Sequence, residues 1–176
     1  MQSKFRLIFL FLCVFLATGS LWAQMRIIPH VTRAGGGFTT TVILENMSVS
    51  AQDYLLMPFD ENGNPLPEVR ATLAGRASAS FTADDLFPGE VETSHFEIEA
   101  DHIQVTAAYE ALSGGSPAHV GETTGDGSRL RLFSGNWDRV FDGFAVVNTG
   151  TEASDILVAH KDFDGKILRS VRAIEE

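Results

Sequence analysis

"NMSVSAQDYLLMPFDENGNPL", residues 46–66, returns 102 positions later as "NTGTEASDILVAHKDFDGKIL", residues 148–168. Seven of the 21 aligned pairs are identical without a gap: Asn46/Asn148, Ala51/Ala153, Asp53/Asp155, Leu55/Leu157, Asp60/Asp162, Gly63/Gly165 and Leu66/Leu168. Chance supplies roughly one or two identities over such a window, so the chain carries an internal duplication. Both copies follow one plan: a strand ending at Asn, a polar turn, an apolar strand, a glycine turn and a return strand.

The end of the first copy, "FDENGNPL" (59–66), has two incompatible readings. Asp60, Asn62 and Asn64 recur at every second residue, as oxygen ligands for calcium do. A helix-loop-helix calcium site, however, needs Gly at its sixth position and a bidentate Glu at its twelfth. Counted from Asp60, Gly63 is fourth and Ala71 is twelfth, and the second copy replaces Asn64 by the cation Lys166. What persists is Asn62-Gly63 and Asp164-Gly165, the pairs best suited to positive φ in a two-residue hairpin turn. Both are read as hairpin ends, with no metal ligands and no cofactor.

Period-two alternation runs through the rest of the chain. "HIQVTAAYEA" (102–111) places Ile103, Val105, Ala107 and Tyr109 on one face, and "HFEIEA" (95–100) does the same with Phe96, Ile98 and Ala100. In "ASASFT" (77–82), Ala77, Ala79 and Phe81 point inward, while "FTTTVILE" (38–45) is rich in the β-branched residues that suit a pleated surface. Only "ADDLF" (83–87) and the final "SVRAIEE" (170–176) have helical potential. Short strands punctuated by Gly, Pro, Asn and Asp predict a mostly antiparallel β-sandwich.

The first residues have the form of an export signal. Lys4 and Arg6 precede an apolar run from Leu7 to Ala17 and then "TGSLWAQ", predicting a signal peptide at 1–23 and a mature domain at 24–176. The run falls short of the ~20 apolar residues that span a bilayer, so no membrane span is expected after cleavage. The only cysteine, Cys13, leaves with the signal, which excludes disulfides, thiolate metal sites and cysteine nucleophiles from the exported protein. The expected location is periplasmic, cell-surface or secreted.

The whole chain has 13 basic and 23 acidic residues, and loss of the signal takes two basic ones, leaving a formal charge of −12. Nucleic acid is thereby an unsuitable partner, because phosphate contacts need a basic face. Between Arg76 and Arg129 there is no Lys or Arg but ten Asp and Glu. Such a segment is a solvated face, or a surface for a basic partner; Lys161, Lys166, Arg169 and Arg172 could offer that partner on a neighbouring copy.

Motifs for chemistry are scarce. No Gly-x-Ser-x-Gly elbow is present, "AGGGFTTT" (34–41) lacks the Gly-Lys-Ser/Thr ending of a phosphate loop, and His95, Glu97 and His102 lack zinc spacing. The chain is therefore not expected to be an enzyme. One aromatic segment stands out, "SGNWDRVFDGF" (134–144), where Trp137, Asp138 and Phe141 are the candidate ligand-binding residues. A loop tryptophan among polar neighbours stacks on sugars or anchors proteins, but it more often covers the end of a core.

Taken together, "GGGFTTTVILEN", "FDENGNPL" and "DGFAVVNTGTEASDILVAHKDFDGKIL" resemble the secreted immunoglobulin-like β-sandwich modules of bacterial exported and surface proteins. The resemblance implies a non-catalytic binding or structural module acting at the cell envelope through a protein partner or self-association. A carbohydrate-binding module using Trp137 and Phe141 on a polysaccharide is the alternative. After Leu168 only eight residues remain, so the domain is expected as two unequal parts, 24–125 and 126–176. The second copy either completes one sandwich or leaves a sheet edge open.

Overall fold

The computed structural model describes residues 26–32, 37–89, 93–114, 117–123 and 145–174. In chain order the strands are β1 Arg26–Ile28, β2 Phe38–Asn46, β3 Gln52–Phe59, β4 Val69–Leu73 and β5 Ser78–Thr82, then helix α1 Ala83–Leu86. They continue with β6 His95–Ala100, β7 Ile103–Ala111, β8 Ala118–Gly121, β9 Asp155–Lys161 and β10 Ile167–Ile174. Two four-stranded antiparallel sheets, ordered β1-β6-β3-β4 and β5-β2-β7-β8, form a sandwich, and β9 and β10 form a separate two-stranded sheet. The fold is all-β, as the alternation predicts.

The core sits between the inner faces of the two large sheets. From one come Ile28, Tyr54, Leu56, Phe96 and Ile98; from the other come Val42, Leu44, Ile103, Val105 and Ala107. Cross-strand register explains the match, with Leu56 opposite Ile98 and Leu44 opposite Val105. Each of the Val, Leu, Ile and Phe side chains among them contributes about 1.5–3 kcal/mol by leaving water. Pro58 is tolerated in β3 because β4 pairs only as far as Leu56, and the Pro58 carbonyl accepts from Leu66 N–H at 2.8 Å.

One clamp joins the sheets at the start of β1. Arg26 donates from Nη1 to the Ala100 carbonyl at 2.6 Å, and from Nη2 to the Ile103 carbonyl and to Glu122 Oε2. A half-buried guanidinium thereby satisfies groups from both layers, which a single apolar contact could not orient. The helical turn predicted at 83–87 is α1. Thr82 caps it, its Oγ1 accepting from Asp85 N–H at 3.1 Å while its hydroxyl donates to the Asp85 carboxylate at 2.7 Å.

The expectation of helix in the final "SVRAIEE" is corrected: Ser170 to Ile174 continue β10, antiparallel to β9. An isolated helix this short leaves most of its end groups without partners, whereas β9 supplies a ladder.

The glycine turns are also corrected in detail. Strand β3 returns through a three-residue loop, in which Asp60 N–H bonds Asn64 O at 3.0 Å and Gly63 N–H bonds Asp60 O at 3.2 Å. Gly63 has φ +77° and Gly165 φ +82°, but Asn62 and Asp164 do not share the positive φ expected of them. The reason is the aspartate before them: Asp60 Oδ1 accepts from Asn62 N–H and Asn64 N–H, both at 2.8 Å, which holds a type I turn followed by one left-handed glycine.

Candidate functional site

The two copies fold alike to the level of single hydrogen bonds. Asp162 Oδ1 accepts from Asp164 N–H and Lys166 N–H at 3.1 and 2.8 Å, as Asp60 does from Asn62 and Asn64. Strand register is also conserved. Asp53↔Thr72, Tyr54↔Ala71, Leu55↔Arg70 and Leu56↔Val69 become Asp155↔Ile174, Ile156↔Ala173, Leu157↔Arg172 and Val158↔Val171. Hairpin β9–β10 is thus a second β3–β4 hairpin.

The surroundings of the two hairpins differ. Strand β3 has β6 along its second edge and a facing sheet over Tyr54 and Leu56. Strand β9 has β10 alone among the described residues. Leu55 is 8% exposed, and Leu157 in its place is 68% exposed. Val69 packs on the core, while Val171 in its place is 49% exposed, and Phe163 at the loop tip is fully exposed. Leu157, Phe163, Ile167, Leu168 and Val171 are exposed large apolar side chains of this hairpin, and the register sets Leu157 (opposite Arg172) and Val171 (opposite Val158) on its two different faces. Charges border them: Lys161, Lys166 and Arg169 are exposed, and Arg172 pairs with Asp155.

A second, smaller feature lies on the outer face of the first sheet. Phe59 and His95 stack at 5.2 Å with an 8° interplanar angle, beside Met57 and Glu97. Burial lowers the His95 pKa, opposed by the Asp60 charge, and burial raises that of Glu97. The pair of shifts favours neutral forms of both groups, which suits an apolar covering more than ion binding. His102 lies in the turn past the far end of β6, so His95, Glu97 and His102 do not converge. Among the described residues no three His, Asp or Glu side chains gather as a metal site, and both Asp60 oxygens accept hydrogen bonds from within their own loop. Those bonds, chiefly from Asn64, hold the Asp60 carboxyl below its ordinary range.

Trp137, Asp138 and Phe141 lie outside the described residues, as does the expected signal at 1–23. The predicted turn residues Asn62, Gly63, Asp164 and Gly165 occupy loop tips and serve the fold. Sequence reasoning passed over Leu157 and Val171. Their signal is "DILVA" (155–159), where a strand is apolar on both faces, as β3 is in "YLLMPF" (54–59).

No family profile matches the chain, and no curated protein matches it. A solved structure titled "Crystal Structure of Thermotoga maritima 1070", from Thermotoga maritima, is similar at a TM-score of 0.45 and 10% identity, over 60% of this chain and 97% of that one. No helix among the described residues is long and apolar enough to cross a membrane.

Proposed function

We propose that the protein is an exported, non-catalytic module of the cell envelope, which works by protein-protein contact through the β9–β10 hairpin. The observation that carries this reading is the contrast between equivalent positions, Leu55 at 8% and Leu157 at 68% exposure. The same hairpin is enclosed once and presented to solvent once. Large apolar side chains exposed on both faces of a two-stranded hairpin favour an interaction surface, and an added strand is a common means of recognition at a sheet edge. The secreted immunoglobulin-like modules that the sequence resembles supply the same reading: binding or architecture without catalysis.

The test places a photo-crosslinking residue at Leu157 in cells that make the protein, with the same probe at exposed Val49 as control. Protein adducts from position 157 and none from position 49 are expected. If position 157 forms no protein adduct, the reading fails; adducts to polysaccharide would turn attention to the carbohydrate alternative at Trp137 and Phe141.

A further inference from the structure

We infer that the partner of the β9 edge is the β9 edge of a second copy of this chain, in a two-fold antiparallel pairing centred on Val158. The inference rests on the proposed reading of the hairpin as a contact site and names its occupant.

The direction of the edge of β9 that pairs with no strand among the described residues follows from the loop. Asp162 N–H bonds the Lys166 carbonyl at 3.0 Å, so residue 162 turns its backbone groups toward β10. Backbone direction alternates along a strand. Val158 and Ile156 therefore also address β10, and residues 155, 157, 159 and 161 address the other edge. The first copy obeys the same parity: Phe59, equivalent to Lys161, accepts at its carbonyl from Ser94 N–H at 2.8 Å on the β6 side.

Antiparallel partners must match in parity, because opposite residues either both bond or both do not. Full overlap of β9 with itself then has one solution. Asp155 lies opposite Lys161 of the second copy, Leu157 opposite Ala159, and Val158 opposite its own equivalent on the two-fold axis. Opposite charges meet at both ends; between them Leu157 meets Ala159 and Val158 meets its own equivalent, while Ile156 lies opposite His160, so the edge is complementary to itself at its ends and centre, as an isologous dimer requires.

Other edges are poorly suited to this. The outer strands β1, β4, β5 and β8 are three to five residues long, and short edges resist templated pairing. Strand β10 has eight residues, but its full overlap with a second β10 would oppose residues of unlike parity, Arg169 against Arg172 among them. A seven-residue pair buries less than the ~1,200 Å² of stable complexes, so the dimer should be weak and reversible.

The experiment uses the full chain with Cys13→Ser as a thiol-free background. Val158→Cys should form a disulfide-linked dimer under mild oxidation, because opposed Cα atoms in a non-bonded antiparallel pair lie about 4.5 Å apart, within disulfide range. Leu157→Cys and Ala159→Cys should crosslink when mixed and resist it when alone, since diagonal neighbours are about 7–8 Å apart. In sedimentation at high concentration, Lys161→Asp, which sets carboxylates opposite one another, should weaken association about tenfold or more. A folded chain that sediments as a monomer and gives no Val158→Cys dimer overturns the inference, as does a dimer linked only through other positions. Adducts from Leu157 to a different protein would retain the contact reading and remove the second copy as its partner.

Discussion

Asn46 and Asn148 close their loops in the same way. Asn46 donates from Nδ2 to the Ser50 carbonyl at 2.9 Å and accepts at Oδ1 from Ser48 N–H at 2.9 Å; Asn148 does so with Glu152 at 2.8 Å and Gly150 at 3.0 Å. The burial differs. Asn46 is buried and also donates to the Leu73 and Ala74 carbonyls, tying the β2–β3 loop to the end of β4. Asn46→Ala should therefore cost about 2–3 kcal/mol in urea unfolding, and Asn148→Ala under about 1 kcal/mol. Equal losses would mean that the two loops are equally enclosed.

Core burial separates the copies in the same sense. Leu56→Ala should lower stability by about 2–5 kcal/mol, because its site lies between the sheets. Val158→Ala, at the equivalent place in β9, should leave the sandwich transition unchanged within about 0.5 kcal/mol in the monomer. Thermal or urea melts of dilute protein decide the point.

Two glycines should respond for different reasons. A Cβ at Gly75 would lie 2.0 Å from the Val49 carbonyl oxygen, so Gly75→Ala must displace backbone and should cost more than about 2 kcal/mol. Gly165 has open space around it but φ +82°, so Gly165→Ala should cost about 1 kcal/mol, confined to the hairpin. Amide hydrogen exchange of β9 and β10 would register the second effect.

Acid should act through two histidines, His30 and the half-buried His95. Burial lowers the pKa of His30 and of His95, so the unfolded chain binds protons more readily than the folded one. Their contribution is complete above the ordinary histidine value of 6.5 and is lost as pH falls from there through the lowered folded values. His95→Gln should flatten that part of the stability-pH curve. A slope unchanged by this substitution would show that His95 titrates freely.

Alkali should meet two protected tyrosines. The chain has only Tyr54 and Tyr109, and burial raises both, Tyr109 to about 12. The Tyr109 hydroxyl also donates to the His30 carbonyl at 2.6 Å. Their contribution is complete below the ordinary value of 10 and is lost as pH rises through the raised folded values. Absorbance titration of the folded protein should show phenolate forming above the ordinary tyrosine range, with Tyr109 ionising at about 12 unless the protein unfolds first.

The alternation of Ile103, Val105 and Ala107 named one face of β7, and β-branched residues named β2, because side chains of neighbours in sequence report strand faces directly. The duplication was legible for the same reason: Asp60 and Asp162 each organise a loop within four residues of themselves. The three-residue loop was less legible, since a two-residue turn and a three-residue turn both accept Asn-Gly, and the Asp60 carboxylate decided between them. The hairpin surface was missed. "DILVA" reads as apolar on both faces, but only strand pairing shows whether those faces and edges are covered.

By itself, then, the sequence determined the all-β class, the inward faces and the duplication, all of which follow from contacts between near neighbours. Tertiary structure alone decided that β3 acquires β6 and a facing sheet while β9 has β10 alone among the described residues. Pairing across a sheet joins residues far apart in sequence, so Leu55 and Leu157 carry the same local code and meet opposite fates.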